Sequence, residues 1–314
     1  MKTLLIIGGT GFFGHSILKF FSYSKSLRKK FSKIIIISRN KLEKYDYLKK
    51  LKTNYKVKKI NCNILNLKKI PNADYVIYAA ILNDFKLDYL AAKNYVHLAK
   101  KYHRNSKILF TSSGAVYGKQ PNKIKSFKEN YLKKNKKITY QKKNYKNKYS
   151  YYKIKNEKLF NKLGSLGIKT SIARCFSFVG EFVPRKSNYI IGNFIDNILN
   201  NEKISIKSSK IIKRSYMYSD DLVNCLLKII ENASPKCPVY NVGSNDAVSL
   251  HAVAKFLAKK YNLEFSFPKI KLKTNDNYIP NTDLLKNKLH FKITLNSIEA
   301  ILKTVRLLKN EKNY

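Results

Sequence analysis

The chain has 314 residues, 44% of them hydrophobic, which is enough apolar sequence for a full core and excludes a disordered polypeptide. Its 64 Lys and Arg residues against 19 Asp and Glu residues give a net charge of +45. The lysines are spread along the chain rather than confined to one tail or helix face, so we favour compositional drift over a nucleic-acid-binding surface. A basic surface would still attract a diphosphate-bearing substrate.

Four scattered cysteines, with no Cys-x-x-Cys pair and no Cys/His cluster, are typical of reduced thiols and indicate neither disulfides nor a metal site. No apolar stretch of about 18 residues is present, so no transmembrane helix is expected. The apolar run between Thr3 and Gly14 contains four glycines and no cleavage site, which favours a strand and turn over a signal peptide. These features predict a cytoplasmic protein.

The first half of the chain alternates β-branched runs with helical stretches, the pattern of a parallel sheet with crossover helices. The run Lys33-Ile-Ile-Ile-Ile-Ser38 does not alternate, as expected of a strand buried on both faces. The predicted strands are residues 3–7, 33–38, 56–61, 75–80, 107–111 and 170–174. The predicted helices are residues 12–23, 87–103 and 149–163.

The first predicted strand leads into the glycine turn Gly8-Gly9-Thr10-Gly11-Phe12-Phe13-Gly14, which opens the first predicted helix. Glycine permits the tight turn, the backbone approach to a pyrophosphate and close helix–sheet packing, while the amides of the helix N-terminus hold the phosphate charge. The turn therefore predicts dinucleotide binding, against the alternative of a merely structural turn.

The second predicted strand ends in Ser38-Arg39 instead of the acidic residue that commonly binds the ribose hydroxyls of NAD. A hydroxyl followed by a guanidinium suits a 2′-phosphate, which accepts paired charge-assisted hydrogen bonds. NADP is therefore favoured over NAD. The alternative is that Arg39 stacks on adenine or faces solvent.

Two further segments carry candidate acid/base chemistry. Tyr149 and Lys153 are four residues apart and would share one face of a helix, where an ammonium favours the phenolate and makes tyrosine a usable acid/base. In a chain with 23 tyrosines and many lysines this pair also arises by chance. Ser113 follows a predicted strand, at the edge where such sheets bind ligands, although the serines there could only cap the strand.

Together, these features resemble the nucleotide-sugar epimerase/dehydratase family of extended short-chain dehydrogenase/reductases, over nearly the whole chain. The resemblance implies a Rossmann-type doubly wound α/β fold and places Ser113, Tyr149 and Lys153 on the catalytic residues. Glu157 matches an acidic residue that often lies four positions after the catalytic lysine. Asn94 matches an asparagine on the helix that follows the fourth strand. It implies cofactor binding by Gly8, Thr10, Gly11, Phe12, Phe13, Gly14, Ser38, Arg39, Asn63, Ile64, Ala79, Ala80, Tyr149 and Lys153.

Later segments resemble the family's substrate-binding motifs. Residues 174–180 are similar to R-x-x-N-x-x-G, residues 214–221 to R-D-F-x-x-V-x-D and residues 240–244 to Y-N-[VI]-G-x. If the role of the arginine in the family motif applies to this chain, Arg214 would contact the diphosphate or nucleotide of the substrate. A guanidinium suits this role because it forms paired charge-assisted hydrogen bonds with phosphate oxygens. The substrate-binding residues implied in this way are Ser113, Ser177, Asn193 and Arg214.

The positions at which this chain differs from the family pattern help to distinguish among the reactions that the family catalyses. The 4,6-dehydratases carry an acidic residue just after the catalytic hydroxyl, where this chain has Gly114 and Ala115. Neither can act as an acid or base, so a 4,6-dehydratase is disfavoured. Ser177 replaces the usual substrate-binding Asn, and residues 61–63 (Asn-Cys-Asn) replace a Gly-Asp-x segment near the adenine.

The favoured reaction is reduction of a 4-keto nucleotide sugar by NADPH, with Tyr149 donating the proton and Ser113 holding the keto oxygen. The alternative is a nucleotide-sugar 4-epimerase with tightly bound NAD. A non-enzymatic dinucleotide- or nucleic-acid-binding protein is a third hypothesis, which the intact Ser113, Tyr149 and Lys153 argue against; no nucleic-acid partner is expected.

From about Cys175 the elements shorten and prolines become frequent, which indicates a smaller lobe. We expect a dinucleotide-binding domain over residues 1–174, also receiving residues 211–243, interleaved with a substrate lobe over residues 175–314. The lysine-rich residues 119–148 are expected to form a surface loop with a short helix, either a substrate flap or a solvated insertion. Family analogy suggests a homodimer through the helices near 83–103 and 149–163.

Overall fold

The computed structural model of the protein describes residues 1–42, 45–134, 145–269 and 275–312. The chain divides into two compact units that interleave along the sequence. Unit 1 comprises Met1–Gly118, Leu132–Cys175 and Val223–Tyr240, and unit 2 comprises Lys119–Tyr131, Phe176–Leu222 and Asn241–Tyr314. The assignment of substrate binding to a second lobe stays a prediction.

Seven strands of the sheet around which unit 1 is built lie in the order β11-β6-β5-β4-β1-β2-β3. The pairs β1–β2, β2–β3, β1–β4, β4–β5 and β5–β6 are parallel. Strand order reverses between β1 and β4, the switch point at which doubly wound sheets bind ligands. The Rossmann-type α/β fold is therefore confirmed. The strands are β1 (Lys2–Ile7), β2 (Phe31–Ser38), β3 (Lys56–Asn61), β4 (Tyr75–Tyr78), β5 (Lys107–Ser113), β6 (Lys169–Cys175) and β11 (Val239–Val242).

The helices in the first 165 residues include the predicted ones and two that were not predicted. The predicted helix 12–23 has those bounds, whereas the predicted 87–103 and 149–163 are Phe85–Tyr102 and Tyr145–Ser165. In residues 119–148 a short helix is present, as expected, and residues 135–144 lie outside the described residues. The helices are α1 (Phe12–Tyr23), α2 (Lys25–Lys30), α3 (Asp46–Asn54), α4 (Phe85–Tyr102), α5 (Tyr131–Lys134) and α6 (Tyr145–Ser165).

An aromatic cluster fixes α4 and α6 against the sheet. The rings of Phe110 on β5 and Phe160 on α6 stack at 4.5 Å between centroids, and Tyr78 on β4 and Tyr95 on α4 pack around them. All four side chains are buried, so the cluster removes several large apolar surfaces from water and holds the helices by ring geometry. It thereby fixes the helix that carries Tyr149 and Lys153.

The strands of unit 2 have two to four residues, whereas its helix α11 (Ser297–Lys312) has 16, so the elements after Cys175 are shorter in the strands only. A three-stranded sheet in the order β12-β9-β14 carries Arg214 at the end of β9. No helix within the described ranges is both long and apolar enough to cross a membrane. The remaining strands are β7 (Phe178–Val179), β8 (Ile204–Ser205), β9 (Ile211–Arg214), β10 (Met217–Tyr218), β12 (Val248–Ser249), β13 (Phe265–Ser266) and β14 (Asn275–Tyr278). The remaining helices are α7 (Ile190–Leu199), α8 (Ser219–Glu231), α9 (Leu250–Tyr261), α10 (Asp283–Leu289) and α11 (Ser297–Lys312).

Candidate cofactor and active site

The glycine turn lies between β1 and α1, and two of its glycines have no room for a side chain. Gly8 has φ +93°, and a Cβ atom there would lie 2.5 Å from the Ala80 nitrogen. A Cβ atom at Gly14 would lie 2.3 Å from the Gly9 carbonyl carbon. The N-cap residue of α1, Gly11, makes no side-chain cap hydrogen bond, and a helix N-terminus is a favourable place for an anion.

An open cavity of about 160 Å³ lies at the carboxyl ends of β1 to β4, the edge at which doubly wound sheets bind their ligands. Its wall combines the glycine turn with the residues that follow the other three strands. It is lined by Ile7, Gly8, Thr10, Gly11, Ile37, Ser38, Arg39, Asn40, Cys62, Asn63, Ile64, Ala79, Ala80, Ile81 and Leu82. The geometry therefore fits a dinucleotide whose phosphates meet α1 and whose adenosine meets β2 and β3.

Nine of the residues expected to bind cofactor line this cavity, whereas Phe12, Phe13 and Gly14 form the first turn of α1. The Ser38 hydroxyl is buried and donates to the Asn40 carbonyl at 3.0 Å, which shapes the turn after β2. Arg39 is exposed at the cavity wall, and its contact with a 2′-phosphate stays a prediction.

The loop after β3 is held from two sides. Asn63 caps a 3₁₀ helix, Ile64–Asn66, by accepting a hydrogen bond from the Leu65 amide at 3.1 Å. Asn94 on α4 donates to the carbonyl oxygens of Ile64 and Leu67 at 2.9 and 3.0 Å. These bonds keep the adenosine end of the cavity in a fixed shape, and they give Asn94 a role in supporting this loop.

The three predicted catalytic residues lie on neighbouring elements of unit 1. Ser113 is the last residue of β5 and is buried, and its Oγ accepts from the Ala115 amide at 3.1 Å. Ser150, beside Tyr149 on α6, donates to the Ala115 carbonyl at 2.7 Å, which ties the start of α6 to the turn after Ser113. The Lys153 Nζ lies 5.8 Å from the centroid of the Tyr149 ring.

Behind this site, a buried ion pair crosses from α6 to β6. Glu157 accepts from Arg174 through both oxygens, at 2.9 Å from Nε and 2.7 Å from Nη2, and from the Ser112 hydroxyl at 2.6 Å. Arg174 also donates to the Tyr117 hydroxyl at 2.9 Å. Burial acts to lower the pKa of Arg174, but the charge and hydrogen bonds of Glu157 and Tyr117 together outweigh it and the pKa is raised. The network locks β5, α6 and β6 together beside Ser113.

Asp88 on α4 is a residue of this site that the sequence analysis missed. Its Oδ2 lies 4.0 Å from the Lys153 Nζ, and both side chains are buried. Burial raises the pKa of this carboxyl, while Lys153 and two hydrogen bonds act in the opposite direction. The available signal was an acidic residue on the apolar stripe of α4, which it shares with Ala91, Ala92 and Tyr95.

The predicted substrate residues Ser177, Asn193 and Arg214 belong to unit 2. Ser177 is buried, and the Asn193 amide is engaged by the backbone of Ser187, donating to its carbonyl at 2.7 Å and accepting from its amide at 3.1 Å. The Arg214 Nη2 lies 3.1 Å from Asp276 Oδ1. The roles of these three residues in substrate binding stay predictions.

Comparison with known proteins agrees with this geometry. A family model described as the NAD dependent epimerase/dehydratase family matches residues 4–243. A dTDP-D-glucose 4,6-dehydratase from Dictyostelium discoideum is 28% identical over 286 residues, covering 81% of this chain and 61% of that protein. The chain thus spans about three fifths of the length of this curated relative.

Solved structures share the fold at low sequence identity. A dTDP-glucose 4,6-dehydratase from Bacillus anthracis in complex with NAD has a TM-score of 0.75 at 16% identity, covering 100% of this chain and 98% of that one. A UDP-glucose 4-epimerase from Thermotoga maritima with UDP-glucose has a TM-score of 0.74 at 17% identity, covering 99% of each chain. With the family match over residues 4–243, these likenesses identify the chain as a member of the NAD dependent epimerase/dehydratase family of extended short-chain dehydrogenase/reductases.

Proposed function

We propose that this chain is an NADPH-dependent reductase of a 4-keto nucleotide sugar. The observation that carries the proposal is the pair Gly114-Ala115, which begins the 3₁₀ helix directly after Ser113. A 4,6-dehydratase needs an acid and a base beside that hydroxyl to remove a proton and expel water, and these two side chains supply neither. The nearby carboxylate of Glu157 is bound by Arg174 and Ser112.

The residues of the site fit a bound nicotinamide dinucleotide, since the cavity is walled by the glycine turn at the start of α1 and Gly8 allows a close backbone approach that a Cβ would block. When bound, the reduced nicotinamide supplies the hydride that converts the keto carbon to an alcohol carbon. Tyr149 donates its phenolic proton to the keto oxygen, and Ser113 hydrogen-bonds that oxygen. Lys153 stabilises the resulting phenolate and holds the nicotinamide ribose.

The choice of NADPH is supported by Arg39, an exposed guanidinium at the cavity wall where an acidic residue would favour NAD. We expect Arg39→Ala to weaken NADPH binding about tenfold, since a charge-assisted hydrogen bond contributes about 1.5–3 kcal/mol, and to leave NADH binding unchanged. The control is Arg104→Ala, which removes an exposed arginine that does not line the cavity. Equal losses for both dinucleotides would contradict the NADP assignment.

The second candidate is a nucleotide-sugar 4-epimerase, supported by the NAD-dependent family and by the fold shared with the Thermotoga maritima 4-epimerase. It would use Ser113, Tyr149 and Lys153 in the same roles, with an NAD that stays bound through each turnover. The two candidates therefore differ in whether the cofactor leaves the protein.

The deciding experiment is mass spectrometry of the nucleotide released on denaturation, followed by fluorescence titration with NADPH and NADH and an assay with 4-keto nucleotide sugars. An empty protein that binds NADPH more tightly and oxidises it with a 4-keto sugar supports the reductase. Retained NAD supports the epimerase, and elimination of water from a nucleotide sugar would refute both. Failure to bind either dinucleotide would leave the non-enzymatic hypothesis.

We also propose a homodimer through α4 and α6. Leu87 and Leu90 of α4 are 44% and 38% exposed, which leaves apolar surface on the helix that family analogy places at the interface. Light scattering on the purified protein should give twice the chain mass of 36.5 kDa, and Leu90→Glu should lower it. A monomeric mass for the unaltered protein would exclude this dimer.

A further inference from the structure

A buried carboxylate, Asp88, faces the predicted catalytic lysine from the neighbouring helix. Its Oδ2 lies 4.0 Å from the Lys153 Nζ, and the two side chains are 4% and 5% exposed. At this separation in a poorly solvated site, the attraction between opposite charges is far stronger than at a surface. Asp88 and Lys153 therefore constrain each other's charge and position.

Two hydrogen bonds hold the Asp88 carboxylate in place. Its Oδ1 accepts from the Leu82 amide at 3.0 Å, and its Oδ2 accepts from the Asn156 amide nitrogen at 3.2 Å. The Asn156 Oδ1 is buried without a hydrogen-bond partner among the described residues. The amide group is therefore oriented so that its nitrogen donates to Asp88 while its oxygen stays unsatisfied. Leu82 lines the dinucleotide cavity, and Asn156 lies three residues after Lys153 on α6. The carboxylate thus joins the cofactor wall to the helix that carries the acid/base pair.

The other side chains that face this pair supply no second cation. Phe110 on β5 lies under the ammonium, with 5.2 Å from Nζ to the ring centroid, and the Tyr149 ring lies on α6. Cys175 on β6 has a pKa raised to about 12 by burial, against the opposing effect of Lys153. Tyr78 on β4 has a pKa raised well above its usual value by burial and by the Asp88 charge. Among the residues named here, Lys153 is the only cation that faces Asp88.

The carboxylate is not explained by folding stability. Burial raises the pKa of Asp88 despite Lys153 and the two hydrogen bonds, so the contribution of this group to stability is greatest below its unfolded pKa and is lost as the pH rises through the folded value. The ionised form therefore costs folding free energy. Buried ion pairs can often be replaced by apolar residues without loss of stability, so a role in the site is the better explanation.

We propose that Asp88 is a positioning residue for Lys153: it holds the buried ammonium in place and aims it at the nicotinamide ribose and Tyr149. This proposal rests on the proposed function, in which Lys153 holds the ribose and supports Tyr149 as the acid. Asp88 itself touches neither substrate nor cofactor and acts through Lys153 alone.

The test measures the Kd of NADPH over a range of pH in the unaltered protein and four variants: Asp88→Asn, Lys153→Met, the double variant and Asp84→Asn. Without the carboxylate, the buried ammonium loses the opposite charge that lies 4.0 Å away and is no longer held in one position. We expect the Kd of Asp88→Asn to exceed that of the unaltered protein about tenfold, equivalent to about 1.4 kcal/mol.

Lys153→Met and the double variant should bind NADPH equally, because Asp88 has nothing left to position. Asp84→Asn is the matched control: it makes the same change in an exposed carboxylate that caps α4, and its pH profile should overlay that of the unaltered protein. If Asp88→Asn fails to fold by circular dichroism, Asn156→Ala replaces it and should move the profile less in the same direction.

The possible failures can be told apart. A protein that binds no nicotinamide dinucleotide overturns the proposed function and this inference together. Weakened binding by Lys153→Met combined with an unshifted Asp88→Asn profile overturns only the role of Asp88. An effect of Asp88→Asn that persists in the Lys153→Met background also overturns it, because such a residue would act on the fold rather than through the lysine.

Discussion

Replacing Gly8 by alanine tests whether the cofactor cavity depends on the close approach of two strand ends. At Gly8 the φ angle is +93°, and a Cβ atom would meet the Ala80 nitrogen, the Ala80 Cα and the Ala79 carbonyl carbon at 2.5, 2.6 and 2.7 Å. All three are backbone atoms, which cannot rotate away as a flexible side chain can. The added methyl group must therefore push the segment after β4 away from β1.

The expected loss in the free energy of unfolding of Gly8→Ala has two parts, a backbone penalty and a steric collision, and the variant Gly167→Ala separates them. Gly167 has φ +86° and no atom within 4 Å of its ideal Cβ position, so Gly167→Ala carries the backbone penalty without the collision. That penalty is about 1–2 kcal/mol for an alanine at positive φ. Gly8→Ala should add about 1–3 kcal/mol of overpacking, so its free energy of unfolding should fall clearly further.

Urea denaturation of both variants measures the difference in stability, and fluorescence titration measures dinucleotide binding. Since Gly8 and Ala80 both line the cavity, Gly8→Ala should weaken binding at least about tenfold, equivalent to about 1.4 kcal/mol, whereas Gly167→Ala should bind normally. Equal stability of the two variants, or unchanged binding by Gly8→Ala, would refute the argument from backbone contact.

Three further predictions follow from the site. Tyr149→Phe should abolish turnover while the protein still binds the dinucleotide; full activity would remove the tyrosine from the mechanism. Glu157→Gln should lower the free energy of unfolding by about 3–5 kcal/mol because it leaves Arg174 buried without its counter-charge. Glu231→Gln, which weakens partly exposed ion pairs with Lys30 and Lys107, should cost about 1 kcal/mol for each pair or less in the same denaturation experiment. Cys62 is the one cysteine of four that is not fully buried, so a thiol reagent should modify it first and bound dinucleotide should slow the reaction; unaltered labelling would place the dinucleotide elsewhere.

The central strands β1, β2, β4 and β5 could be predicted from the sequence because each contains an apolar run, but the strand ends could not. The predicted strand 75–80 ends at Tyr78, since Ala79 and Ala80 turn away along the cavity wall. The predicted strand 107–111 continues to Ser113, which joins the ladder opposite Cys175. Polar residues at the end of a parallel strand carry no hydrophobic signal, although the backbone pairing continues through them.

Two helices were missed for a related reason. Helix α2 has no buried residue, and α3 buries only Tyr47 and Leu51, so neither shows an apolar stripe that could be recognised. The contact between Asp88 and Lys153 could not be predicted from the sequence for a different reason. It depends on how α4 packs against α6 through Tyr95 and Phe160, and no spacing along the chain reports that packing.

The polar contacts of α6 have a consequence for how this protein can diverge. Ser150, Asn156 and Glu157 attach the helix to the turn after β5, to α4 and to β6, and all three lie within the body of the helix. Tyr149 and Lys153 are therefore positioned by contacts that α6 makes through its own side chains. Substitution at any of these three polar positions would be felt at the acid/base pair, so they should be constrained as the sequence diverges although none of them takes part in the chemistry.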